Sequence, residues 1–375
     1  MKASYSSLLV IGVIIFVLAF LAVREQGSLD RSKPSSSSVE SQKTASRAAP
    51  ETIRICSQNL QRFGEKKKKD IQKHQKQKSF LVTRFVRAKC SVIALQEIIL
   101  DKLGRGDEPV AELVTALQAR TGRSFSYHIG RSRDKYITNG FIVANDIGTV
   151  KKVRSFSNES LPKIKAYSPP RYFTRGPVML EIEPSPAIVA SHGLPPRIVI
   201  FTMHFKSKRN GWKDPAKTMF EISRMEMAAG LRDLAFEQSQ ALGTDSIILL
   251  LGDRNNHIGT ASAEVLTGEL DLRSFDRGAG CIVNSALEPE CSGVNRARQA
   301  LVPLFEYRKE NDPKWQAGGS HKYRGEERFL DEIFTRPSDM NWLRRAGGQL
   351  AIGLEGQFFK GSDHKLVWAE LQPAK

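Results

Sequence analysis

Hydrophobic positions along this chain gather into short, nearly continuous runs separated by longer amphipathic segments. Four of the runs have strand length: TIRICSQN (52–59), SVIALQE (91–97), RIVIFTMH (197–204) and SIILLLGDRNN (246–256). Alternation of such runs with amphipathic stretches predicts an α/β arrangement. How the runs finish is as informative as how they begin. They end at Asn59, Glu97, His204 and Asp253, the last followed by Asn255 and Asn256. In a sheet-based α/β protein, strand ends are where rigid elements converge polar side chains at one mouth.

A fifth apolar run differs in kind. Leu8 to Val23 is sixteen residues without a charge, with Lys2 before it and Arg24 after it. With Ser6 and Ser7 it reaches the lower edge of a membrane-spanning length. It is long for a signal-peptide apolar region, and no clean A-x-A cleavage site follows. Residues 1–25 therefore read as a signal anchor, with a cleaved signal peptide as the alternative. Either reading exports the rest of the chain, to face outward from the cytoplasmic membrane or to be secreted or periplasmic. Residues 26–50 turn polar, with the run SKPSSSSVESQKTASRAAP, and read as a flexible linker. The catalytic domain is expected over 51–375.

Composition then narrows the partner. The 375 residues carry 57 Lys plus Arg against 40 Asp plus Glu, a formal charge of +17. That excess points to a polyanion or an anionic surface. Much of it is local: residues 62–89 hold eleven Lys or Arg against two acids, a net +9 directly after the strand ending in Asn59. Lys66 and Lys67 lead this set as phosphate-tracking candidates, and Lys206, Lys208, Arg209 and Lys213 follow His204. Hydrophobic residues make up 40% of the chain, enough for a sizeable core, which excludes wholesale disorder. Four cysteines without CxxC spacing argue against a structural zinc site. Cys281 and Cys291 enclose nine residues rich in turn formers and are the candidate disulfide, whereas Cys56 and Cys90 read as buried free thiols.

Two further segments complete the chemistry. FLDEIFTRP sets Asp331 inside an apolar run, where an unpaired carboxylate is costly, so a histidine partner is expected. GSDHKLVWAEL supplies Asp363 and His364 just before the last strand. Carboxylates, amides and two histidines offer oxygen ligands for Mg²⁺, with Mn²⁺ as the alternative, together with acid and base groups.

SQNLQRFG, ALQE, MHFKSK, GDRNN, FLDEIF and SDH occur in the order of the endonuclease/exonuclease/phosphatase superfamily, which this sequence resembles over residues 52–371. The resemblance implies a four-layered α/β sandwich, two packed mixed β-sheets flanked by helices. It implies that Glu97 is the principal metal ligand with Asn59 beside it, and that Asp363 lies near the metal. By the same resemblance Asp253 orients or deprotonates the attacking water, Asn255 holds the phosphate, and His364 meets the scissile phosphate with Asp331 as its orienting carboxylate. His204 corresponds to the second histidine of the deoxyribonuclease-like branch, and Arg175 to its phosphate-contacting arginine.

Three departures stand out. Arg254 occupies a place where the family has a large apolar residue, so it either reaches substrate or marks an exposed strand end. TNGFIVAND matches the family poorly, leaving Tyr136 as the candidate for a substrate-side tyrosine. The stretch from about His257 to His321 is longer than a minimal member needs and reads as a loop-rich insertion. The implied function is Mg²⁺-dependent phosphodiester hydrolysis, most simply a nuclease acting on DNA. A phospholipid or inositol-phosphate phosphodiesterase is the alternative with the same chemistry. A non-catalytic module binding anionic surfaces is the alternative of another class. No protein partner is indicated.

Overall fold

Why polar strand ends meet is answered by how the strands pair. The structure, a computed structural model, describes residues 50–64, 70–164, 171–208, 218–243, 245–276, 279–293 and 296–372. All of these fall within one unit, Ala48–Lys375. The apolar run Leu8–Val23, Lys66 to Lys69, Arg209 and Lys213 lie outside the described residues. Among the described residues no helix is long and apolar enough to cross a membrane.

The strands are β1 (Ile53–Phe63), β2 (Cys90–Ile99), β3 (Phe125–Ile129), β4 (Ile137–Ala144), β5 (Gly148–Ser155), β6 (Val178–Pro184), β7 (Arg197–His204), β8 (Ser246–Asp253), β9 (Cys281–Val283), β10 (Pro289–Cys291), β11 (Val302–Pro303), β12 (His321–Tyr323), β13 (Glu326–Arg328), β14 (Asp331–Thr335), β15 (Arg345–Ala346), β16 (Gln349–Leu350), β17 (Ile352–Glu355) and β18 (Leu366–Leu371). They form two six-stranded sheets, ordered β17-β18-β1-β2-β4-β3 and β11-β14-β8-β7-β6-β5, plus three short hairpins. Within each large sheet a single pair is parallel, β1 with β2 and β7 with β8, and every other pairing is antiparallel. A parallel pair delivers two C-terminal strand ends to the same edge. The antiparallel neighbours β14 and β18 deliver their N-terminal ends there as well, which brings Asp331 opposite Asp253.

Alternate side chains of each strand point to opposite faces, and here both faces are buried. Ile53, Ile55, Val92 and Ala94 of the first sheet pack with Ile247, Leu249, Leu251 and Ile333 of the second. On the outer face of the first sheet, Ile93 and Leu95 meet Leu81 and Phe85 of helix α1 (Ile71–Arg87) and Leu113 and Leu117 of α2 (Asp107–Thr121). A short helix, α3 (Pro186–His192), follows β6. On the outer face of the second sheet, Ile248 and Leu250 meet Met225 and Leu231 of α4 (Glu221–Leu242) and Val265 of α5 (Ala261–Thr267). The order is helix, sheet, sheet, helix, the four-layered sandwich that the sequence led us to expect. The 257–321 stretch is less loop-like than expected. It contributes α5, the β9–β10 hairpin and α6 (Leu304–Asn311), whose Leu304 and Phe305 enter the inter-sheet core.

Two expectations are corrected. Cys56 and Cys90 are buried, but they are joined as a disulfide with Cα atoms 5.9 Å apart. Parallel pairing of β1 and β2 brings residues 34 apart in sequence side by side, which spacing alone does not reveal. Cys281 and Cys291 are also bonded, as directly opposed residues of β9 and β10. Arg254 neither reaches substrate nor marks an exposed end, being 2% exposed. It turns inward, with Cζ 5.9 Å from the Phe334 ring and Nη2 donating to the Phe329 carbonyl at 3.3 Å. The buried Glu332 is its counter-charge; burial pushes that carboxyl up to about 7, against the pull of Arg254.

Replacing Cys56 and Cys90 together by Ala should lower the unfolding free energy by about 3–4 kcal/mol. Replacing Cys281 and Cys291, which close a shorter loop, should cost about 2–3 kcal/mol. Chemical denaturation of the two double variants checks both the magnitudes and their order. Glu332→Leu, which removes the largest of the acidic charges acting on Arg254, should destabilise the fold in the same assay.

Candidate active site

At the edge where the strand ends meet, the backbone leaves its regular path. Gln61, Glu97 and Asn255 all have left-handed φ values, 50°, 61° and 53°. The β2–β4 register shifts between Leu95 and Ile98, a bulge that re-aims Glu97 out of the sheet. Such conformations cost of order 1 kcal/mol or more each and collect at functional sites. Gly252 has φ +140°, and a Cβ there would lie 2.1 Å from the Met203 carbonyl oxygen, so only glycine lets β8 lie this close to β7 before Asp253.

One carboxylate oxygen is the hub. Oδ2 of Asp253 accepts from Asn59 Nδ2 at 3.0 Å and from Asn255 Nδ2 at 3.3 Å. It lies 3.6 Å from Nε2 of His204 and 3.9 Å from Nε2 of His364. Burial raises the Asp253 carboxyl to about 6; Asp331 and Glu97 push the same way and His364 pushes back. Asp331, fully buried, accepts from Nδ1 of His364 at 2.7 Å through Oδ2. Burial alone would lower the His364 pKa, but Asp331, with Asp253 and Asp363, carries it up to about 10. His364 is thus held as an imidazolium with Nε2 facing the other carboxylates, as the Asp331 motif predicts.

The SDH turn is fixed from several sides. Ser362 Oγ donates to the Asn59 carbonyl at 2.7 Å and accepts from the His364 amide at 3.0 Å. Arg84, buried in α1, donates to the His364 carbonyl at 2.6 Å, to Gln58 at 3.0 Å, and to the carbonyls of Gln357 and Lys360. This arginine belongs to the basic segment 62–89, yet it braces the active-site turn and faces no phosphate. Lys78 is likewise paired, with Glu112 at 3.3 Å. Gln96 was also missed in sequence: it donates to Ser57 of its own sheet and to Thr202 of the other, both at 3.1 Å, tying the two layers just below the site.

Across the mouth, Nη1 of Arg175 donates to Nε2 of His204 at 2.6 Å and Nε pairs with Asp134 at 3.3 Å. Burial, then the charges of Arg175 and His364, hold the His204 pKa well below the ordinary histidine range, so the ring is a neutral acceptor. The same Nε2 is 3.7 Å from Glu97 Oε1. Asn59 donates to Glu97 at 3.4 Å, while its own Oδ1 accepts from the Gln61 amide at 2.9 Å. In this arrangement Asn59 presents a donor to two carboxylates. Asn255 likewise directs its amide to Asp253 and to the Phe205 carbonyl. Asp363 pairs with His321 at 3.8 Å and His364 at 3.9 Å. Against burial, which would raise it, the His321 hydrogen bond and the His364 charge keep its pKa below the ordinary carboxylate range.

These groups open onto a cleft of about 1280 Å³. Glu97, Arg175, His204, Asp253, Asn255 and His364 line it. Lys206 and Lys208 form part of its wall, the latter with Nζ 3.2 Å from Nδ1 of His257 and its pKa brought down to about 8, chiefly by burial. Tyr136 stands at the rim, 70% exposed. The β12–β13 hairpin also lines the cleft, through His321 and Tyr323. The donor set around Glu97, Asp253 and Asp363, one buried and two half-buried carboxylates, fits a hard divalent cation better than a thiolate-seeking one.

Among solved structures, truncated TDP2 from Caenorhabditis elegans is similar at TM-score 0.51, with 13% identity over 86% of this chain and 98% of that one. The chain shares that structure's fold. An endonuclease/exonuclease/phosphatase family protein from Bacteroides thetaiotaomicron is similar at TM-score 0.46, with 13% identity, covering 86% of this chain and 98% of that one. The human nocturnin catalytic domain is similar at 0.48, with 11% identity, covering 86% and 95%. No family model and no curated protein matches the sequence.

Asp331→Asn should remove the charge that outweighs burial at His364. The ring's pKa, followed by NMR, should then fall from about 10, since desolvation is opposed only by Asp253 and Asp363. Gly252→Ala should destabilise the fold and displace Asp253; a circular-dichroism melt unchanged from wild type would show that the strands have room to part.

Proposed function

We propose that this chain is a divalent-metal-dependent phosphodiester hydrolase, using Mg²⁺, whose substrate is nucleic acid, most simply DNA. The observation that carries the reading is the convergence of Asp253, the Asp331–His364 pair and the Arg175–His204 pair on one cleft with Glu97 at its edge. Phosphodiester hydrolysis needs a base for water, a proton-bearing donor at the phosphate and fixed positive charge for the developing negative charge.

Each need has a residue. Asp253, held between Asn59 and Asn255, accepts the proton of the attacking water. Imidazolium His364, oriented by Asp331, donates a hydrogen bond from Nε2 to a phosphate oxygen and stabilises charge as the P–O bond breaks. Arg175 contributes a fixed cation, held in place by neutral His204, which accepts from it. Glu97, with Asp363 and Asn59 near it, would hold the metal, which supplies Lewis-acid stabilisation of the phosphate oxygens when bound. Lys206 and Lys208 on the cleft wall extend the positive surface along a polyanion, and Lys66 and Lys67, cations of the basic segment in the sequence, are proposed as further phosphate contacts.

We infer also that the domain works outside the cytoplasm, tethered or released through residues 1–25. Two disulfides support this, because such bonds persist in oxidising compartments.

The purified full chain should nick supercoiled plasmid with Mg²⁺ and stop with EDTA, and Glu97→Ala or His364→Ala should lower the rate at least about 10²-fold. Cleavage of sphingomyelin or an inositol phosphate with plasmid left intact would overturn the nucleic-acid assignment. Replacing Lys66 to Lys69 with Gln should weaken DNA binding and flatten its salt dependence, by about 0.7–0.9 in log–log slope for each phosphate no longer neutralised.

A further inference from the structure

His321 was not among the expected site residues, and the catalytic roles above do not use it. Its position is nonetheless set by the same backbone that fixes His364. The Lys322 amide donates to the Asp363 carbonyl at 3.2 Å, and the Lys365 amide to the Ser320 carbonyl at 2.7 Å. These bonds dock strand β12 against the SDH segment and make His321 and His364 an antiparallel bridge pair. The two rings lie with centroids 4.5 Å apart. Nε2 of His321 is 3.8 Å from one oxygen of Asp363, and Nε2 of His364 is 3.9 Å from the other. One ligand atom from each of the three residues falls within 4.8 Å of the rest.

We propose that His321, Asp363 and His364 form a site for a borderline transition-metal cation such as Zn²⁺, which shares Asp363 with the Glu97 site and differs from it by two imidazole donors. Two imidazole nitrogens and a carboxylate, with a position left open toward the cleft, match the three-ligand zinc pattern, whereas Mg²⁺ prefers an all-oxygen set. Bonds of ~2.0–2.2 Å bring tetrahedral ligand atoms to ~3.3 Å of one another, so each imidazole–carboxylate spacing, measured to a different oxygen of Asp363, would close by about half an ångström, and the spacing of the two imidazole nitrogens, within 4.8 Å, by up to ~1.5 Å. The second shell is already in place: Asp331 on Nδ1 of His364 is the carboxylate that orients a metal-binding imidazole.

The consequence is inhibition. A cation bound to Nε2 of His364 displaces that atom's proton to solvent and takes the lone pair, so the ring no longer donates to phosphate. Occupancy of this site and action of His364 on substrate exclude one another. Binding itself stands apart from the hydrolase reading; the inhibition rests on it.

Isothermal calorimetry of Zn²⁺ into the full chain, with Mg²⁺ in large excess, tests the site directly. Wild type should bind one equivalent at this position, and His321→Ala should bind at least tenfold more weakly, as should His321→Gln, which keeps a polar side chain on the hairpin. Co²⁺ in place of Zn²⁺ should give four-coordinate visible absorption that both variants lose. His257→Ala, a histidine outside the three-residue cluster, should leave the binding unchanged. Zn²⁺ should inhibit hydrolysis of bis(p-nitrophenyl) phosphate, with the inhibition curve displaced at least tenfold in His321→Ala. Equal zinc affinity in wild type and both His321 variants, or no zinc uptake with Mg²⁺ present, overturns the proposal. Zinc binding that depends on His321 in a chain that hydrolyses no phosphodiester would keep the site and overturn the hydrolase reading instead.

Discussion

The placement of one parallel strand pair at the centre of each sheet is the constraint on which the site depends. Antiparallel neighbours alone would send alternate strand ends to opposite edges. With β1 beside β2 and β7 beside β8 in parallel, Asn59, Glu97, His204 and Asp253 come to one edge. Packing the two sheets face to face through Ile55, Ala94, Leu249 and Leu251 then brings the two edges together. Cys56–Cys90 fastens one parallel pair covalently, and Gly252 allows the other to approach closely.

The site so assembled concentrates charge in a dry place. Asp253, Asp331 and His364 are all nearly inaccessible to water, and burial works against Asp253 and His364 in their charged forms. Asp331 resolves this for His364 by contact at 2.7 Å, while Asp253 is left with a raised pKa and three hydrogen-bond donors. A carboxylate in that condition is poised to take a proton. The same crowding explains why surrounding residues are tightly bonded: Arg84, Ser362, Gln58 and Gln96 hold backbone and side chains that electrostatics would otherwise push apart.

Legibility in the sequence followed the range of the interaction. Strand-length apolar runs, their polar endings and the isolation of Asp331 in an apolar segment are local features, and they led to residues that line the cleft or, as with Asn59 and Asp331, bond to residues that do. Arg84 looked like one more cation in a basic stretch, because its burial depends on the SDH turn nearly three hundred residues later. His321 lay in an apparently loop-rich segment, and only its bridge to His364 gives it a place. Arg254 was misread because its counter-charge, Glu332, sits on a neighbouring strand.

By itself, then, the sequence determined which segments form strands, which residues end them, and that the chain carries a large positive excess. These follow from side-chain volume, polarity and charge, properties of each residue and its near neighbours. Tertiary structure decided which ends meet, which cysteines bond, and which cations face the cleft and which are buried as braces. Those outcomes depend on strand order and on the balance between desolvation and partner charge, and neither exists until the two sheets have packed.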